Sequence, residues 1–361
     1  MATVTETEEF VTFFEGDKPG TRKVLRGTEA KTFTSIPVID FTNIDSPSLQ
    51  VRQALAKELY DACSNVGFFY AKGHGVPEEL VAETFDYIKR FFALSDEVKM
   101  SAHLQKNPGL KGYEPMFETK LDPKSAGDTK EAFAMGDDPL EPEQNFPSHL
   151  PLPQGIIPQN IWPKDELWFR ESIYRYYHAV FPFAKKLVRL FALALAQESE
   201  NVFDDLFQFP ITSVRALHYP PNADVKDIDY VGLGAHADYS WITLIRQDGV
   251  PGLEVLNANA QWIPATPIPH AFICNVGQFL QRHTNGIFPA TVHRVRNMTG
   301  EERYSAAFFL TPDPGASLAP LKSCIKEEGQ KYEAIPNVGD HFIRRLLRAR
   351  PKKQKSDHER L

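Results

Sequence analysis

Apolar side chains return at helical spacing through residues 48–65, at Val51, Leu55, Leu59 and Ala62, and Gly67 follows where a helix would stop. Phe68-Phe69-Tyr70 then reads as a strand. Pro77-Glu78-Glu79 places proline and acids where a helix N-terminus favours them, and the pattern continues through Phe85, Ile88 and Phe92. Ahead of these elements, Ile36-Pro37-Val38-Ile39-Asp40-Phe41 alternates in the manner of an edge strand. A further long helix is predicted over residues 165–197, with Pro182 kinking it or dividing it in two. From residue 211 the texture changes to short β-rich runs separated by turn signals, at 214–219, 241–246, 253–256, 271–276, 290–295 and 304–310. Strands this short and this regularly spaced predict a sandwich or a barrel.

The polar stretches divide the chain. Residues 1–35 carry glycines and a proline without sustained periodicity and read as a flexible N-terminal arm. Residues 36–210 form an N-terminal α/β region whose helices pack on the core, interrupted by a long loop at 105–160 rich in Pro, Gly and Asp. Residues 211–347 form the β-rich core, and 348–361 a charged, disordered tail.

Composition narrows the partners. The 361 residues include 40 Lys+Arg and 47 Asp+Glu, a net charge of −7, so neither nucleic acid nor an anionic membrane is the expected partner. Cys63, Cys274 and Cys324 are too few for a disulfide framework and contain no CxxC pair, which suits a reducing compartment. With no apolar leader and no membrane-length run, a cytoplasmic protein is expected. The pattern specifies no oligomeric state.

Candidate chemistry begins at Gly234-Ala235-His236-Ala237-Asp238. On extended backbone, positions i and i+2 share a face, so His236 and Asp238 can aim an imidazole and a carboxylate at one point. A third ligand must come from His270, His283 or His293. His293, within Pro289-Ala290-Thr291-Val292-His293-Arg294-Val295, is preferred because an adjacent strand could present it inward, whereas His270 follows Pro269 in a turn and His283 sits in a polar stretch. Two histidines and a carboxylate on one side of a metal leave adjacent positions open, as non-haem Fe(II) oxygen chemistry requires. A zinc hydrolase could use a comparable set, but no His-Glu-x-x-His accompanies it. Ten positions beyond His293, Arg303 and Ser305 form another i, i+2 pair suited to gripping a carboxylate, and the Tyr219 hydroxyl, in Tyr219-Pro220-Pro221, could donate to the same group.

This order of motifs resembles the iron- and 2-oxoglutarate-dependent dioxygenases of the isopenicillin N synthase-like group. The likeness extends to Gly67-Phe68-Phe69, Gly73-His74-Gly75-Val76, Phe91-Phe92-Ala93-Leu94, Gly252-Leu253-Glu254-Val255, Asn275-Val276-Gly277 and Thr284-Asn285-Gly286, across residues 36–345. The resemblance implies a mainly β fold with flanking helices, built on a double-stranded β-helix (distorted jelly roll). It also implies Fe(II), 2-oxoglutarate and O2, with His236, Asp238 and His293 as metal ligands and Arg303, Ser305 and Tyr219 on the distal carboxylate of 2-oxoglutarate. Decarboxylation to succinate would then be coupled to oxidation of an unactivated C–H bond. Leu217 and Gln278 depart from common family residues, Asn and Asp, without touching the metal. His74 reads as structural.

Tyr113, Phe117, Tyr239, Trp241 and Phe309 are the candidate substrate-facing residues, and five aromatics around one mouth suit a small, largely apolar molecule, a specialised metabolite or a nucleobase-like compound. Three alternatives stand beside this reading: a same-fold Fe(II) oxidase that uses no 2-oxoglutarate, a metal-dependent hydrolase, and a non-catalytic small-molecule binding protein.

Overall fold

Period-two alternation sorts the strand side chains between two cores. A computed structural model describes residues 10–15, 18–23, 32–106, 109–121, 127–136, 160–221 and 231–348. The chain opens with β1 (Phe10–Glu15) and β2 (Lys18–Lys23), followed by β3 (Val38–Asp40), α1 (Leu49–Asn65), β4 (Phe68–Lys72), α2 (Glu78–Phe92) and α3 (Asp96–Ser101). Next come β5 (Gly112–Glu114), β6 (Glu131–Met135), α4 (Leu167–Ala194), β7 (Ile211–Tyr219), β8 (Leu233–His236), β9 (Ile242–Gln247) and β10 (Leu253–Leu256). The remainder is β11 (Trp262–Pro264), β12 (Phe272–Val276), α5 (Gln278–His283), β13 (His293–Val295), β14 (Arg303–Thr311) and α6 (Val338–Arg348).

The described strands form an eight-stranded sheet in the order β3-β4-β12-β9-β14-β7-β6-β5 and a six-stranded sheet in the order β11-β10-β13-β8-β1-β2. Phe69, Cys274, Phe308 and Val214 point from the larger sheet into a core shared with α1, α2 and α4. Their neighbours Phe68, Ile273, Ala307 and Leu217 point the other way and meet Leu253, Val255 and Val295 of the smaller sheet. The result is the expected mainly β jelly-roll core with flanking helices. Gly67, at φ +74°, ends α1 in the left-handed conformation that glycine adopts without strain.

Several expectations change. Residues 10–15 and 18–23, read as part of a flexible arm, pair as a hairpin that joins the smaller sheet alongside β8. Its Phe10-Val11-Thr12-Phe13-Phe14 run has the β-branched and aromatic composition of a strand, a signal outweighed by the surrounding polar residues. The 105–160 segment is not all loop, because β5 and β6 extend the larger sheet next to β7. No clean division therefore falls at residue 210, since β3 to β6 share a sheet with the later strands. α4 runs without a break past Pro182, held by Phe181, Phe183 and Ala184 buried on both sides of it. α6 was not foreseen, and the expected tail beyond it lies outside the described residues. No described helix is long and apolar enough to cross a membrane.

The helix-side core buries a histidine. His283 at the end of α5 is buried, accepts a hydrogen bond from Trp241 Nε1 at 3.3 Å, and packs against Phe203. Burial pushes its imidazole down to about 4. An unfolded chain would take up that proton near 6.5, so this contribution to stability is complete above pH 6.5 and is lost as pH falls toward about 4. His283→Phe should therefore gain urea midpoint relative to the unaltered protein on going from pH 7.5 to pH 5.5 (roughly one unit on either side of that ordinary pKa), because the variant lacks the group whose protonation favours unfolding. The same midpoint difference at both pH values would contradict the assignment.

Candidate metal centre

β8 and β13 run antiparallel with His236 directly opposite His293, so both imidazoles leave the same face of the smaller sheet, their ring centroids 4.4 Å apart. Just past β8, the Asp238 carboxylate comes within 3.4 Å of His236 Nε2 and 3.7 Å of His293 Nε2. One ligand atom from each residue lies within 4.8 Å of the others, and among the described residues this is the one cluster of its kind.

Supporting hydrogen bonds fix how each ligand points. Gly234 O lies 2.7 Å from His236 Nδ1, and Thr291 O lies 3.2 Å from His293 Nδ1. A carbonyl only accepts, so each Nδ1 carries the proton and each Nε2 turns a lone pair toward the shared point. Asp238 Oδ2 accepts from Thr243 Oγ1 at 2.7 Å and from Asn275 Nδ2 at 2.8 Å, which leaves Oδ1 facing the imidazoles. Burial, and then the neighbouring His236, push His293 down to about 4, so it is a neutral donor. Burial opposes the charge of Asp238, but the adjacent imidazoles and the Asn275 amide outweigh it and hold the carboxyl well below the usual carboxylate range. Two imidazoles and one carboxylate fit Fe(II) and leave adjacent coordination positions free.

Asn275 was visible in the sequence only as part of a motif. Gly277, two residues on, lets β12 approach the loop after Asp238 so closely that a Cβ would collide with the Ser240 carbonyl. Asn275→Ala should weaken Fe(II) affinity by about 10- to 100-fold with the three ligands intact, measured by metal titration. Unaltered affinity would mean that the amide does not orient the carboxylate.

The second constellation lies on β14 and β7, where Arg303 is directly opposite Tyr219. Arg303 is only 1% exposed. Its Nε donates to Val250 O at 3.1 Å and its Nη2 to Gln247 Oε1 at 2.8 Å, while Nη1 is buried with no hydrogen-bond partner among the described residues. A buried guanidinium N–H left open in this way calls for an acceptor, and a carboxylate is the one it fits best. Ser305 lies two residues along the same face, and the guanidinium sits over the Tyr219 ring at 4.8 Å. All six residues line one cavity, closed by apolar walls including Leu217, Leu233, Ile245 and Leu253.

Of the five aromatic candidates, Tyr239 and Phe309 line this cavity. The other three do not. Trp241 is fully buried on the helix side, edge-on to Phe191 at 5.2 Å and Phe207 at 5.3 Å. Tyr113 also faces the helices, packs near Phe91, and donates its hydroxyl to Glu131 at 2.6 Å. Phe117 sits at φ +64° in a turn with 57% of its surface exposed. Trp241→Ala should cost about 3–5 kcal/mol in chemical unfolding, as removal of a large core side chain does. A stable variant with altered substrate selection would reverse this placement.

Among the cavity-wall residues that sequence reasoning missed are Arg215, Phe342 and Leu346. Val338, Phe342 and Leu346 recur every fourth position, a helical signal hidden by the basic run that follows.

Residues 36–165 match the family model described as non-haem dioxygenase in morphine synthesis N-terminal, and residues 210–312 match that of the 2OG-Fe(II) oxygenase superfamily. The chain is 34% identical over 348 residues to the 2-oxoglutarate-Fe(II) type oxidoreductase ppzC of Metarhizium majus, covering 92% of each protein. It is 32% identical to homoarginine-6-hydroxylase 2-ODD-233 of Oryza sativa subsp. japonica, covering 87% of this chain and 97% of that one. Among solved structures, Neurospora crassa T7H in complex with alpha-KG and thymine superposes with a TM-score of 0.75 at 26% identity, covering 86% of this chain and 96% of that one. With both halves matched and relatives of this similarity over nearly their whole length, the chain belongs to the 2OG-Fe(II) oxygenase superfamily and is a dioxygenase that uses Fe(II), 2-oxoglutarate and O2.

Proposed function

We propose that this enzyme oxidises an unactivated C–H bond of a small, largely apolar molecule of specialised metabolism, with hydroxylation as the default outcome and desaturation or ring formation as variants. His236, Asp238 and His293 hold the iron, and Arg303, Ser305 and Tyr219 hold the distal carboxylate of 2-oxoglutarate. The observation that carries the reading is the buried Nη1 of Arg303, without a hydrogen-bond partner among the described residues, on the wall of the cavity that the three ligand side chains also line.

When bound, the iron and the keto acid supply the oxidising chemistry, in which 2-oxoglutarate is converted to succinate and CO2 as O2 is reduced. The protein's own part is positioning. Val250 O and Gln247 Oε1 hold the guanidinium in a single orientation, so the fork is set before a carboxylate arrives. Thr243 and Asn275 do the same for Asp238, leaving one carboxylate oxygen for the metal. Tyr239, Phe309, Ile245 and Leu217 surround the remaining space with mostly apolar surface. The thymine held in the T7H structure is a small ring compound, which supports a substrate of that size.

The test is a small-molecule screen with Fe(II) and 2-oxoglutarate under isotopically heavy O2, with succinate and products read by mass spectrometry. Succinate formed in step with a labelled, hydroxylated product is the expected result. Substrate consumption that persists without 2-oxoglutarate would reject the reading.

A further inference from the structure

Arg215 enters the cavity from β7, on the face that also presents Leu217 and Tyr219. Among the described residues it makes a single hydrogen bond, from Nη2 to Glu114 Oε1 at 2.6 Å. Glu114 has other partners of its own: Lys130 forms a close ion pair with the same oxygen, and Thr119 Oγ1 donates to it at 3.2 Å. The remaining Arg215 donors bond to no atom of the described residues, and 21% of the side chain is accessible, on the cavity wall. A guanidinium carries five N–H donors in a rigid plane, so those not used on Glu114 are available at the cavity wall to a ligand's acceptors. Neutralising Glu114 does not account for it, because Lys130 already does so.

Its position separates it from the cosubstrate cradle. Along β7 and β14 the facing pairs are Tyr219 with Arg303, Leu217 with Ser305, and Arg215 with Ala307. Arg215 is thus four residues from Tyr219, roughly 13 Å along the strand. The small Ala307 opposite it leaves room above the sheet. β9, whose Thr243 holds Asp238, lies two strands away, roughly 10 Å across the sheet. The Asp238 carboxylate and the Tyr239 hydroxyl both fall within electrostatic reach of the guanidinium. Phe309 and Ile245 line the same cavity as Arg215 and the metal ligands.

We propose that Arg215 is a specificity-determining residue that anchors a carboxylate of the substrate, so that the substrate class is a small apolar acid. This rests on the reading of the site given above and narrows it. The other carboxylate able to reach this region is that of 2-oxoglutarate, and the two sources are separable.

The test uses the full-length enzyme with aromatic and alicyclic monocarboxylic acids, each beside its primary amide, and reads stimulated succinate. Acids should stimulate turnover and their amides should fall behind by tenfold or more, because an amide brings no charge to the buried guanidinium. Arg215→Gln should lower kcat/KM for a stimulating acid by about a hundredfold, with Arg215→Lys intermediate. Both variants should keep the 2-oxoglutarate affinity read from the anaerobic Fe(II) charge-transfer band. Equal stimulation by amides, no stimulation by any acid, or an Arg215→Gln enzyme that keeps its kcat/KM would overturn the proposal. Weakened 2-oxoglutarate binding in that variant would assign the residue to the cosubstrate instead. If Arg215→Gln fails to fold, the acid and amide comparison on the unaltered enzyme still decides. Absence of the band in the unaltered enzyme would remove the underlying reading itself.

Discussion

Asp238→Ala is expected to abolish turnover while leaving a folded protein. The loss should exceed the roughly 10–100-fold cost of removing a residue that only supports a ligand, because the metal loses its one anionic donor. Asp238 is also the residue on which the other parts of the centre converge. Its Oδ1 lies within 4 Å of both imidazole Nε2 atoms, at 3.4 and 3.7 Å, and its Oδ2 takes hydrogen bonds from two strands. Alanine leaves the Thr243 hydroxyl and the Asn275 amide without this acceptor, at a cost of about 1–3 kcal/mol for a buried polar group. That cost is too small to unfold a domain of ordinary stability. Iron content after anaerobic loading and gel filtration should fall toward zero, with circular dichroism unchanged. Stoichiometric iron in the variant would show that the carboxylate is not a ligand.

Arg303→Leu should raise KM for 2-oxoglutarate by about 30-fold or more, the equivalent of the 2 kcal/mol or greater cost of breaking a buried charged pair. The guanidinium is 1% exposed, so no solvent replaces it. Arg303→Lys should recover only part of the loss, since an ammonium restores the charge without the planar fork that Val250 and Gln247 hold in place. At saturating 2-oxoglutarate kcat should change much less than KM, which separates a binding role from general damage to the site. Initial rates over a range of 2-oxoglutarate concentrations provide the check, and an unchanged KM would remove Arg303 from the cradle.

How much of this was legible in the chain depended on the range of the interaction. The helices α1 and α2 were readable because their apolar positions repeat locally. The ligand triad was readable in part: His236 and Asp238 are two residues apart, but only the pairing of β8 with β13 brings His293 opposite His236. Choosing His293 over His270 and His283 needed the expectation of an adjacent strand. The three misplaced aromatics failed for the opposite reason. Trp241 is three residues beyond Asp238, yet the bend after β8 sends its ring to the helix side, and sequence proximity carries no information about such a turn. Tyr113 lies on a three-residue strand whose facing depends on its register with β6. Arg215 was in plain view beside Tyr219, but a charged residue in a strand does not reveal whether it faces solvent or a cavity until the sheets are stacked. α6 was masked by the charge that follows it.

The central claim is that three side chains bind one ferrous ion with adjacent positions left for 2-oxoglutarate. Anaerobic addition of Fe(II) and then 2-oxoglutarate, followed in the visible region, tests it most directly. A charge-transfer band that saturates at one equivalent of each in the unaltered enzyme, and is missing in Asp238→Ala, is the result this geometry predicts. A colourless titration, or a band of equal strength in Asp238→Ala, would contradict it.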